Sequence, residues 1–77
     1  NWDGRWRIVA FDIPEKRRTV RQLLREKLIN WGFRRWQKSV WACRKNCTKQ
    51  LRDFIKQVDI EDWVLVFESD NIGRDTI

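Results

Sequence analysis

The sequence predicts an α+β domain in the order strand, helix, strand, strand, helix, strand, with two helices packed on one face of a four-stranded antiparallel sheet. Three observations carry this. Residues 15–31 and 46–58 place apolar side chains at helical spacing, residues 5–12 and 62–68 are apolar runs of strand length, and an aromatic-rich stretch at 33–43 separates the helices. Seventy-seven residues, 42% of them hydrophobic, suffice for one core and exclude a multidomain enzyme or a large enclosed substrate cavity.

The first strand, RWRIVAFD at 5–12, alternates Trp6, Ile8 and Ala10 with Arg7, Val9 and Phe11. It is apolar on both faces in its second half, which is the pattern of a central strand. Ile13-Pro14 ends it, because the residue before proline is pushed out of the helical region and proline is favoured at a helix start. From Glu15 to Trp31 the apolar stripe is Val20, Leu23, Leu24, Leu28 and Trp31, and Gly32 stands where a left-handed C-terminal cap is expected. Phe33 to Cys43 reads as two short strands around a turn near Gln37-Lys38, or as one bent strand, since no Asn-Gly signal marks the turn. Asn46 or Thr48 caps a second helix whose Leu51, Phe54, Ile55 and Val58 share one face. The run DWVLVFE at 62–68 is expected as a largely buried last strand. The domain is expected to span 1–72, with 73–77 as a tail or linker.

This order is the ferredoxin-like β-α-β-β-α-β arrangement, which leaves one sheet face bare of helices. Six Trp and four Phe exceed what a single helix–sheet interface is expected to take, so that face is predicted to be aromatic and covered by a second copy or a neighbouring domain. Base stacking on the face, as in sheet-type RNA binders, is the third reading. A domain of this size is marginal alone, which also favours a homodimer. The chain contains no methionine, as expected of a piece of a longer protein.

Seventeen Lys and Arg against eleven Asp and Glu leave a net charge of +6, which favours a polyanionic partner such as DNA. No run of about 18 apolar residues is present, so no membrane span is expected, and the absence of a signal-peptide pattern suggests a cytoplasmic setting. Two cysteines and no histidine exclude a four-ligand zinc site and His-dependent catalysis within one chain. Cys43 and Cys47 are expected as reduced, buried thiols. Arg18, Arg21 and Arg25 follow one another at helical spacing and form either a solvated face or a phosphate-facing ridge. Arg17, Arg34, Arg35 and Lys38 extend the set of candidate nucleic-acid contacts, and Ser39 is either a turn residue or a phosphate contact.

The segments RIVAFDIPEKRR, NWGF, RRWQKSVWAC and EDWVLVFESD resemble the CRISPR-associated protein 2 superfamily of small ferredoxin-like dimers. The leading WDGRWR and the rhythm FDIPE, LR and GF are closer to the central domain of PaaX-type transcriptional repressors. The resemblance covers about residues 2–72. It implies a dimerisation module of a DNA-binding regulator with an upstream winged-helix domain. The alternative it implies is a magnesium-dependent endonuclease or adaptation scaffold on duplex DNA. In that alternative Asp12 is the catalytic residue and metal ligand, facing its symmetry mate across a dimer. Taken from the residues alone, an aspartate between strand and helix is more commonly a cap or turn residue, and Asp12 is read first in that role. As a regulator domain the chain needs no cofactor.

Overall fold

The computed structural model describes residues 2–70. Four strands form one antiparallel sheet: β1 (Trp6–Phe11), β2 (Arg34–Gln37), β3 (Val40–Cys43) and β4 (Val64–Ser69), in the spatial order β2-β3-β1-β4. With α1 (Arg18–Asn30) and α2 (Thr48–Gln57) between them, this is the ferredoxin-like β-α-β-β-α-β fold. β1 is central, as its two apolar faces require. The expected tail at 73–77 lies outside the described residues.

The pairing register sorts the side chains into two faces. Val9 lies beside Trp41 and Val66, while Ile8 lies beside Ala42 and Phe67. Val9, Trp41, Phe11 and Cys43 belong to the main core with Leu24 and Leu28 of α1 and Leu51, Phe54 and Ile55 of α2. Trp6, Ile8 and Ala42, with Val40 against them, form a second, smaller cluster on the helix-free face. Phe11, Phe33, Trp41 and Phe54 are buried in the main core, and Trp31 and Trp63 pack against it, so the helix–sheet interface takes most of the aromatics. The bare face carries Trp6 and Phe67, with Trp2 at its corner, stacked edge-on against Trp6 at 5.2 Å.

Two burial expectations are corrected. β4 is an edge strand, not a largely buried one: Leu65 and Phe67 point to the helix-free face and remain 60% and 42% exposed. On α1 the inward stripe consists of Val20, Leu24, Leu28 and Trp31, whereas Leu23 is exposed.

Both helices end by one device. After α1, Phe33 N–H donates to the Leu28 carbonyl at 2.9 Å and Gly32 N–H to that of Ile29 at 3.1 Å, with Gly32 at φ 94°. This is the Schellman arrangement, and Phe33 and Leu28 share the core as its hydrophobic contact. After α2, Ile60 donates to Ile55 and Asp59 to Lys56, each at 3.2 Å, with Asp59 at φ 59° where glycine is usual. Ile60 is thereby fully buried. The starts differ from expectation, since the N-cap of α2 is Cys47, with no side-chain cap from Asn46 or Thr48. Short 3-10 turns, Glu15–Arg17 and Glu61–Trp63, precede α1 and β4.

The β2–β3 hairpin lacks the usual turn residues, and a side chain supplies what they would. Arg35 donates twice to the Lys38 carbonyl, at 3.2 and 3.0 Å, beside a register shift between Arg35 and Gln37. At the other edge, Arg52 of α2 donates to the Val66 carbonyl of β4 at 3.2 Å.

Candidate nucleic-acid interface

The α1 arginines are drawn into the fold to different degrees. Arg17 donates to the Val58 carbonyl at 2.7 Å and lies over the Trp63 ring, which ties the start of α1 to the end of α2. Arg21 bridges Glu15, at 3.1 Å, and the Ile13 carbonyl, at 3.3 Å. Arg18 lies 3.6 Å from the same Glu15 but is open to solvent. Arg25 is half-buried. Arg34 is exposed on β2, in the row of Ala42 and Ile8, on the face away from the helices. The candidate contacts are therefore split between the helix layer and the opposite sheet face and do not converge on one stripe.

Asp12 sits just past β1, exposed, with its backbone N–H donated to the Trp63 carbonyl at 3.0 Å. Together with Lys38, Ser39, Glu61 and Asp62 it lines an open depression of about 880 Å³ at one end of the sheet. The Ser39 carbonyl accepts from Phe11 N–H at 3.1 Å, so this residue closes the end of the β1–β3 ladder. Asp12 thus has basic and acidic neighbours together. Among the described residues no three of His, Cys, Asp or Glu gather so as to hold a metal ion. A magnesium ion at Asp12 requires oxygen ligands from a second copy, from nucleic acid or from water.

At the opposite end of β1 lies a constellation that sequence reading missed. Arg7, on the helix side, is 2% exposed. Its guanidinium donates to both carboxylate oxygens of Asp3, at 3.0 and 2.7 Å, and to the carbonyls of Arg5 and Arg44, at 3.0 and 2.8 Å. Glu68 of β4 is 3.5 Å away as a further anion. The hydrogen bonds from Arg7 hold the Asp3 carboxyl down at about 2, and Asp3 in turn raises the guanidinium pKa against the opposing effect of burial. In sequence Arg7 is one polar residue in an alternating strand. Its partners come from the N-terminal segment, from β4 and from the residue after β3, so no local signal marks its burial.

Arg44 follows β3 directly and lies across from Trp6 in the extended register. Its guanidinium lies 4.7 Å from the Trp2 ring centroid and 5.2 Å from that of Trp6. The interleaved Trp2, Trp6, Arg44 and Lys45 are the available sequence signal, since basic residues beside tryptophans are the raw material of cation–π contact. Nearby, Cys43 and Cys47 are buried free thiols. Burial, and then the neighbouring Cys43, push the Cys47 thiol up to about 11, so it is protonated at neutral pH.

With this geometry the comparison with known families is decisive. Residues 1–76 match the family described as the PaaX protein central Cas2-like domain. The chain belongs to this family. The match spans nearly the whole sequence, and a Cas2-like description agrees with the ferredoxin-like sheet. No significant match was found among curated proteins or solved structures. As a PaaX central domain the chain is a domain of a PaaX-type regulator. No helix among the described residues is long and apolar enough to cross a membrane.

Proposed function

We propose that this PaaX central domain pairs two protomers of a transcriptional regulator and adds sequence-independent affinity for duplex DNA, while an upstream winged-helix domain reads the sequence. The observation that carries the reading is the exposure of Leu65 and Phe67, at 60% and 42%, on the helix-free face of an otherwise well-packed sheet. They lie in consecutive rows with Val40 and Ile8, so a second copy covers a continuous apolar strip. Pairing on a two-fold axis sets the spacing of two DNA-reading domains and so matches a palindromic operator. The net charge of +6 supports backbone contact, with exposed Arg18, Arg34 and Lys38 as the outward-facing cations.

Sedimentation of the chain tests the pairing. A dimer at micromolar concentration, converted to a folded monomer by the double variant Leu65→Lys, Phe67→Lys, is the expected result, and a wild-type monomer overturns it. Duplex binding is expected to weaken steeply with salt and to leave the DNA intact in magnesium or manganese. Metal-dependent cleavage abolished by Asp12→Asn rejects this reading in favour of a nuclease that uses paired Asp12 groups.

A further inference from the structure

The corner of the helix-free face formed by Trp2, Trp6 and Arg44 is distinct from the Leu65–Phe67 strip. Two adjoining hollows meet there, of about 320 and 420 Å³, and both are lined by Arg44 and Lys45. Arg34 lines the first and Trp2 the second. We propose that this corner binds a nucleotide unit, with its phosphate held by Arg34, Arg44 and Lys45 and its base laid against the exposed Trp2 ring. The proposal stands apart from the pairing reading.

Charge is the first argument. Arg34, Arg44 and Lys45 are all exposed, and among the described residues none of their side chains has a carboxylate partner. Asp3, the one acid lining either hollow among the described residues, is already bound through both its oxygens to Arg7. Among the described residues the three cations thus share the first hollow without a carboxylate between them, which favours an anion there. Several donors around one point suit the multiple oxygens of a phosphate, and the fork of Arg44 can take two of them.

Preorganisation is the second. Arg44 is held at its backbone by the 2.8 Å bond from buried Arg7 to its carbonyl, and at its head by two indole rings. The Trp2 ring is oriented by its own N–H, which donates to the Arg5 carbonyl at 2.9 Å, and yet it is 44% exposed. The ordering of a long cation and of an aromatic platform is thus already complete before a ligand arrives. A simple carboxylate or sulfate would use the cations and leave Trp2 idle. A phosphate with a planar base beside it uses both, which selects a nucleotide over other anions. The unit is either a free nucleotide or an unpaired residue of a strand.

Titration of the full chain by tryptophan fluorescence, with adenosine monophosphate, a single strand of about six nucleotides and inorganic phosphate as probes, tests this. Binding of the mononucleotide assigns a free nucleotide as the source, and binding of the strand alone assigns an unpaired strand residue. Either is expected to weaken about tenfold in Arg44→Ala and in Arg34→Ala, and about five- to tenfold in Trp2→Leu, followed for the variants by anisotropy of a labelled probe. Lys56→Ala removes the same charge from exposed helix surface and is expected to change nothing. All four substitutions are at exposed positions, and an unchanged melting temperature shows that the fold survives them. The proposal is overturned if neither probe binds, if inorganic phosphate competes as well as the nucleotide, or if Lys56→Ala weakens binding as much as Arg44→Ala. Retention of binding by a Leu65→Lys, Phe67→Lys monomer separates this site from the pairing surface.

Discussion

Replacing Arg7 by methionine tests how much of this small fold is held by one buried cation. The substitution keeps most of the side-chain volume but removes the donors to the Arg5 and Arg44 carbonyls and to Asp3, and the ion pair to Glu68. A hydrogen bond from a charged donor contributes about 1.5–3 kcal/mol, so the two carbonyl bonds together set a gross loss of roughly 3–6 kcal/mol. Methionine returns part of this, because it needs no desolvation and buries a longer apolar stem, and Asp3 and Glu68 are exposed enough to be hydrated once released. The net expectation is a loss of about 2–3 kcal/mol, which in a domain this size lowers the melting temperature by roughly 10–20 °C. Thermal unfolding followed by circular dichroism at neutral pH measures it. A melting temperature within about 3 °C of wild type refutes the view that the Arg7 bonds outweigh the gain from apolar replacement.

The same network sets an acid limb. The Asp3 carboxyl is lowered from its usual 3.8 to about 2 in the folded chain, so the unfolded chain binds the proton first as pH falls. The stabilisation from Asp3 is therefore complete above about 4 and is lost as pH falls through about 2. Asp3→Asn, and equally Arg7→Met, should flatten the decline of stability across that window. An unchanged slope in both variants contradicts the assignment.

Other expectations concern packing, caps and thiols. Leu28 is fully buried between helix and sheet, so Leu28→Ala should cost about 3–4 kcal/mol in urea unfolding; a loss under about 1 kcal/mol contradicts the core assignment. Asp59 occupies a left-handed position that favours glycine, and Asp59→Gly should stabilise by about 0.5–1 kcal/mol, with a drop in melting temperature as the contrary result. Cys47, pushed up to about 11 by burial, should react far more slowly with iodoacetamide at pH 8 than a free thiol, read by mass spectrometry. Because the folded thiol holds its proton longer than the unfolded one, stability should also fall as pH rises from about 9 towards 11.

The parts of the fold legible in the sequence are those written in local periodicity. Leu24 and Leu28, and Leu51, Phe54 and Ile55, lie where spacing puts them, and Gly32 caps α1 as its position implies. Leu23 shows the limit of that signal, since a residue beside Leu24 can fall on either side of the stripe boundary. The edge position of β4 was not legible, because an apolar run does not say whether one neighbour or two will flank it. Ile60 was missed for a related reason: its burial follows from the turn after α2 rather than from helical period. At the candidate sites, Asp12, Lys38 and Ser39 line one depression, and within the arginine ridge Arg21 turns to the Ile13 carbonyl, a bond that no sequence pattern announces. The Trp2–Trp6–Arg44 corner needed the register of β1 against β3 before its members could be placed together.

The bond from Arg52 to the Val66 carbonyl bears on how such a chain stays out of fibres. A sheet with a free edge offers backbone groups to any passing strand, and pairing there repeats without limit. Here one edge carries Arg34 and Arg35 beside an irregular register, and the other has a backbone acceptor already taken by a helix side chain. In the proposed pairing, association moves from these blunted edges to the face, where contact between two copies would bury the apolar strip and leave nothing for a third. The protein can thus keep Leu65 and Phe67 available to a partner without becoming a template for polymerisation.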